Sequence, residues 1–216
     1  SAELRLGLLV GVMTPELQIG PSSLTPPASS VQQGALRARL LYDRLDNVHF
    51  PRSGSFAQIN LYDSEKRLGA QDDYVKWYAE GTTAYSIGEH TFNFYAKFGG
   101  RGGSNPLPNY DQFQWGGFLR QSGYATGQLY GENLKFGRAM YYRRILRGSL
   151  LDGAYGGLSL EAGKVGNQLV PGNPDGLLVS GAAFMGADTP IGPAYLGYGH
   201  ARSGKSSWYF YLGRPF

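Results

Sequence analysis

The sequence predicts an all-β chain folded as an antiparallel transmembrane β-barrel, and three observations lead there. His90 to Gly99 reads His-Thr-Phe-Asn-Phe-Tyr-Ala-Lys-Phe-Gly, which puts Phe92, Phe94, Ala96 and Phe98 on one face of a strand and Thr91, Asn93, Tyr95 and Lys97 on the other. The same alternation recurs along the chain, with aromatic residues near strand ends and no helical period between, as a sheet facing lipid outside and water inside requires. Composition agrees: 33 Gly and 16 Tyr against 17% charged residues suit short strands and many turns better than helices.

At 216 residues the chain makes one domain, 1–216, with room for about ten to sixteen strands of roughly ten residues each plus turns. Eleven strands are predicted in order, at about 2–12, 34–46, 54–68, 73–87, 90–100, 112–121, 133–146, 154–165, 177–188, 193–203 and 206–216. In the first, Leu4, Leu6, Leu8 and Val10 face outward and Glu3 and Arg5 inward. The second sends Leu36, Ala38, Leu40 and Tyr42 out, and Arg37, Arg39 and Asp43 in. The third sets Ala57, Ile59 and Leu61 against Gln58 and Asn60, and the fourth sets Val75, Trp77 and Ala79 against Lys76, Glu80 and Thr82. A dry core could not hold so many charges without a partner for each.

Connections alternate between tight and long. Ile87-Gly-Glu-His90 and Asp188-Thr-Pro-Ile-Gly-Pro193 are short turns, whereas 13–33, 122–132 and 166–176 are long. The first long one has room for a twelfth strand near Glu16 to Gly20, since bacterial single-chain barrels have even strand numbers.

Several function classes drop out. Without cysteine there is no disulfide framework and no Cys-ligated metal. No apolar run approaches eighteen residues, which excludes a helical span but leaves a barrel untouched, because lumen-facing residues lower the mean hydropathy, here −0.30. Ala2-Glu3-Leu4-Arg5 already alternates, so the chain reads as a mature form or, the favoured reading, as an excised part of a longer protein. The net charge of +4 comes from scattered residues such as Arg37, Arg39, Lys76 and Lys97, with no aromatic-interleaved basic motif, so nucleic acid is not an expected partner.

Gly199-His-Ala-Arg-Ser-Gly204-Lys205-Ser206 fits the phosphate-loop pattern, but the β run Ser207-Trp-Tyr-Phe-Tyr-Leu follows it. No helix N-terminus is there to supply amides and dipole, and the segment is expected to cap the last hairpin. His49, His90 and His200 lack ligand spacing and there is no G-x-S-x-G elbow, so neither catalysis nor a cofactor or metal is expected.

At the end of the chain Trp208, Phe210, Leu212 and Phe216 share a face. This lipid-facing strand resembles the terminal signal that bacterial outer-membrane assembly machinery reads as an edge for strand pairing. Upstream, Asp43-Arg-Leu-Asp46, Phe50-Pro51-Arg-Ser-Gly54 and Leu68-Gly69-Ala-Gln-Asp72-Asp-Tyr74-Val-Lys76 occur in order. They are followed by Trp115-Gly116-Gly117, Ser122-Gly123-Tyr124, Gly131 and Pro190-Ile-Gly192-Pro193. Together these motifs resemble the barrel of the bacterial outer-membrane assembly-factor and translocator superfamily over most of the chain after residue 35.

The resemblance implies that residues near 118–133 form a lumen-inserted loop whose tip, Ser122-Gly123-Tyr124, lies near Glu161 of Ser159-Leu-Glu161-Ala-Gly163. It also leaves room for this chain to be part of a sixteen-stranded barrel. Most members carry Arg where Ser122 stands, and that Arg pairs with the acidic residue. Here either Arg120 substitutes or weaker hydrogen bonds hold the loop.

The variant tip points to the patatin-like autotransporter branch (type Vd secretion). The chain would then be a bacterial outer-membrane translocator that anchors an upstream lipase-type passenger. Implied partners are outer-membrane lipid, the assembly machinery and the passenger on the same polypeptide, with homo-oligomerisation open. An assembly factor or solute channel is the alternative, and a soluble β-sandwich module would need its aromatic faces buried in one core.

Overall fold

The computed structural model describes residues 2–16, 30–146, 153–168, 174–189 and 192–213. Eleven strands run through them: β1 Ala2–Met13, β2 Val31–Asp43, β3 Gly54–Ser64, β4 Tyr74–Ile87, β5 His90–Arg101, β6 Phe113–Trp115, β7 Leu129–Leu146, β8 Gly153–Gln168, β9 Leu178–Thr189, β10 Gly192–Ala201 and β11 Ser206–Leu212. Among the described residues, helix is confined to two single 3₁₀ turns, Lys66–Leu68 and Asn109–Asp111. None of the described helices is long and apolar enough to cross a membrane.

All pairings are antiparallel between chain neighbours, except that β7 pairs with β5 and the short β6 attaches to β7 alone. The predicted strand over 112–121 is thus corrected. Only Phe113–Trp115 is strand, after which Gly116 and Gly117 take φ of 113° and 104° and the chain leaves the sheet. β7 takes its place beside β5, beginning at Leu129 rather than 133, so the long connection covers 102–128 and not 122–132. Among the described residues the sheet is not closed, and β1 and β11 are its two ends. The segment proposed for a twelfth strand lies mostly outside the described residues, as do Pro190 and Ile191 of the later turn.

Side-chain alternation divides the sheet into two chemically distinct faces. Leu6, Leu40, Ile59, Phe94, Leu160 and Phe210 are more than half or about half exposed on the outer face. On the inner face Thr91, Asn93, Ser180 and Glu161 are buried. One cross-strand rank, set by register, crosses six strands through Phe56, Thr82, Tyr95, Arg138, Glu161 and Ser180, all inward. Glu3 and Arg5 on β1 pair with each other at 2.7 Å and stay exposed, as expected at a sheet end.

Two segments fold inward from opposite rims and create the buried core. Residues 102–128 enter from the β5–β7 rim, and the strap 44–53 enters from the β2–β3 rim. Phe50 of the strap stacks on Tyr155 (4.4 Å) and Tyr195 (5.0 Å) and meets Tyr142 edge-on, so the sheet curls far enough for the β2–β3 turn to touch β10. Gly186 lies beneath the ring, where a Cβ would come within 2.5 Å of it. Tyr142 donates its hydroxyl hydrogen bond to Pro51 O, and the Asn47 side chain accepts from His49 N and Phe50 N, which sets the strap's turn.

Candidate functional site

The segment 116–128 is a compact loop with its own backbone hydrogen bonds: Gly117 N to Tyr124 O at 3.1 Å, Arg120 N to Gly117 O at 3.1 Å and Tyr124 N to Gln121 O at 3.2 Å. Leu119 and Gln121 hold φ of 58° and 78°, a region that side chains with a Cβ rarely occupy. This turn aims two successive backbone N–H groups at one point, an anion-binding arrangement.

Glu161 of β8 occupies that point and is fully buried. Its Oε2 accepts from Gln121 N at 2.8 Å, Ser122 N at 2.6 Å and Ser180 Oγ at 3.3 Å, and its Oε1 from Ser122 Oγ at 2.8 Å and Ser159 Oγ at 2.6 Å. Each hydroxyl also receives an N–H: Ser122 from Leu119 N, Ser159 from Ala182 N, and Ser180 from Gln121 Nε2. With its acceptor site used this way, each hydroxyl turns its proton to the carboxylate, which accepts throughout.

Arg138, the cross-strand neighbour of Glu161, donates through Nη1 to Leu119 O at 3.0 Å and through Nη2 to Asn93 Oδ1 at 3.4 Å. The loop is thus gripped on both its amide and its carbonyl side. Arg120 is placed over the Trp115 ring, 5.4 Å from its centroid.

The far side of the tip meets the last two strands. Tyr209 of β11 accepts from Gly123 N at 3.0 Å and donates to Tyr124 O at 3.1 Å, while Tyr124 Oη lies 3.0 Å from Ser203 Oγ and Lys205 sits over the Tyr124 ring. Gly123, at φ 94°, has space for no side chain: a Cβ would fall 2.6 Å from Ala201 N. Strand glycines make the seat, since a Cβ at Gly199 would approach Ser122 Cβ to 2.6 Å and one at Gly163 would approach Gln121 Oε1 to 2.9 Å.

The residues singled out from sequence therefore fall in two places. Ser122, Gly123, Tyr124, Glu161 and Gly163 meet at the seat, with Arg120 beside it over Trp115. Trp208, Phe210 and Leu212 lie on the outer face of β11, the first two about three-quarters exposed, and Phe216 lies outside the described residues. Sequence reasoning missed Ser159, which period-2 spacing from Glu161 would have flagged, and Arg138, Ser180 and Tyr209, which only strand register brings there.

The phosphate-loop look-alike is the β10–β11 hairpin, with His200 opposite Ser206 and Gly204 at φ 87°, and β-strand follows it. Among the described residues no group of three or more His, Asp or Glu could hold a metal. No curated protein matches the chain. The model of the Omp85 superfamily domain matches residues 29–214, which carry β2 to β11 of this antiparallel sheet, and the chain belongs to the Omp85 superfamily.

Proposed function

We propose that this chain is the translocator barrel of a patatin-like autotransporter, which anchors an upstream lipase-type domain in the bacterial outer membrane and carries it across. Membership of the Omp85 superfamily supports an outer-membrane β-barrel acting in transport or assembly. The eleven-stranded antiparallel sheet is consistent with such a barrel, and its exposed apolar face suits lipid. The observation that carries the finer reading is the loop tip. By the resemblance Ser122 stands at the position of an arginine in other members, and neutral donors hold it to Glu161.

On this reading the seat Arg120, Ser122, Gly123, Tyr124, Glu161 and Gly163 keeps the loop inside the lumen. Trp208, Phe210, Leu212 and Phe216 would form the strand that the assembly machinery reads. Further strands would complete closure, up to the sixteen of the family barrel. Short connections such as Gly88-Glu89 would face the periplasm, and the 102–128 rim would face outward.

The test is to express the chain behind a lipolytic passenger and assay whole cells for surface lipase activity and for protease release of the passenger. Surface display with a heat-modifiable, folded barrel is expected. A passenger held in the periplasm by a folded barrel overturns the reading in favour of a channel or assembly factor. Single-channel conductance then separates those two.

A further inference from the structure

A water-lined barrel is polar along its inner face, yet one cavity on this inner face departs from that rule. Near the strap, Leu41 of β2, Phe56 of β3, Met140 of β7 and Phe184 of β9 line a cavity of about 510 Å3, which Val48 and Phe50 of the strap bound at the rim. Towards mid-sheet the lining becomes cationic, with Arg39 of β2, Arg138 of β7 and Arg120 of the loop.

Two carboxylates also border the cavity. Glu80 is engaged by Lys97 Nζ at 3.1 Å, by Tyr95 Oη at 2.5 Å and by Gln58 Nε2. Asp43 lies at the strap end, where its Oδ1 accepts from Leu45 N. The two ends of one chamber therefore differ, with guanidinium groups at one and, at the other, mainly hydrocarbon bordered by Asp43 and His49.

We propose that this cavity binds one single-chain amphiphile with an anionic head, the head at Arg39, Arg120 and Arg138 and the acyl tail running towards the strap. Guanidinium forks match carboxylate and phosphate oxygens, so the head is an anion of one of these kinds and not a quaternary ammonium. The tail covers Leu41, Phe56, Met140 and Phe184, which water alone would leave wetted. From Arg39 to Asp43 the strand advances four residues, about 13 Å, which suits a medium-length acyl chain. The site adjoins the Glu161 seat, sharing Arg120 and Arg138 with it, and does not depend on which passenger the barrel carries.

The experiment uses the full chain refolded into amphipol and a decanoate analogue with a diazirine near its methyl end, followed by peptide mapping. Saturable labelling of Phe56, Met140 or the strap is expected, with competition by decanoate or decyl phosphate, and the stronger of the two identifies the head. Arg39→Met, checked for heat-modifiable mobility, should cut labelling about tenfold, the loss expected for one charged hydrogen-bonding group. Met140→Trp, which fills the apolar end and leaves Arg39 in place, should abolish it and guards against a folding defect in the first variant. Labelling confined to outward residues such as Leu40 and Phe94 overturns the proposal, as does equal competition by decyltrimethylammonium or unchanged labelling in Arg39→Met.

Discussion

The loop 116–128 and the strap 44–53 enter the same inner face from opposite rims, each burying a phenyl ring against Tyr195, and differ in what holds the tip of each. The loop tip rests on one buried carboxylate that accepts from two backbone amides and three serines. The strap rests on one phenyl ring set among three tyrosines over a glycine. A hydrogen-bonded anchor fixes direction and position and fails when a single acceptor is lost. An aromatic anchor depends on volume and tolerates any apolar group that fills it.

The largest expected effect breaks the polar anchor. Glu161→Ala leaves Gln121 N and Ser122 N buried without their acceptor and removes the anion facing Arg138, a loss of about 3 to 5 kcal/mol in holding the loop down. Trypsin cleavage after Arg120 in the folded barrel reads that release. A cleavage rate equal to wild type would show that the loop is held elsewhere. Glu161→Met restores volume and not acceptance, and should behave like the alanine variant.

Phe50→Ala is the matching break at the strap, expected to cost about 3 kcal/mol through the lost ring and the cavity left over Gly186. Here shape should rescue: Phe50→Leu should recover most of the loss, which limited proteolysis of 44–53 would report. If leucine fares no better than alanine, the stacking geometry and not the volume holds the strap, and the contrast with the loop collapses.

The difference between the two anchors also explains what could be read from sequence. Strand alternation is a period-2 signal carried by neighbours, so the outward set of Leu6, Leu40, Ile59 and Phe94 was legible residue by residue. So was the strand-like start of β6. Its end was not, because Phe113-Gln-Trp115 alternates as a strand should, and only the left-handed φ of Gly116, Gly117, Leu119 and Gln121 turns the chain away. Glu161 and the tip came from a resemblance in motif order. Arg138 and Ser180 reach Glu161 through register between strands 19 to 23 residues apart, which local sequence does not encode. In sequence the strap is only the connection between the second and third strands, since nothing in Phe50-Pro51 names the three tyrosines it meets on β7, β8 and β10.

Gly199→Ala sharpens the comparison by touching one anchor alone. The added methyl would lie 2.6 Å from Ser122 Cβ and 2.9 Å from Gly123 N, so the tip must shift, at about 2 kcal/mol. Trypsin cleavage after Arg120 should rise while proteolysis of 44–53 stays constant. A rise at both segments would mean that loop and strap move as one unit.

The smallest effect concerns the strand that ends the described sheet. Tyr209→Phe keeps the ring over the tip and removes one hydroxyl, which accepts from Gly123 N and donates to Tyr124 O. Because Glu161 continues to hold residues 121 and 122, the loop should remain seated and lose only about 1 kcal/mol, the net worth of an ordinary hydrogen bond. Amide exchange at Gly123 should quicken about fivefold, with little change at Gln121 and Ser122, since 1.4 kcal/mol corresponds to tenfold. If all three amides quicken together, β11 and β8 hold the tip as one cooperative seat, and the carboxylate is not the dominant anchor.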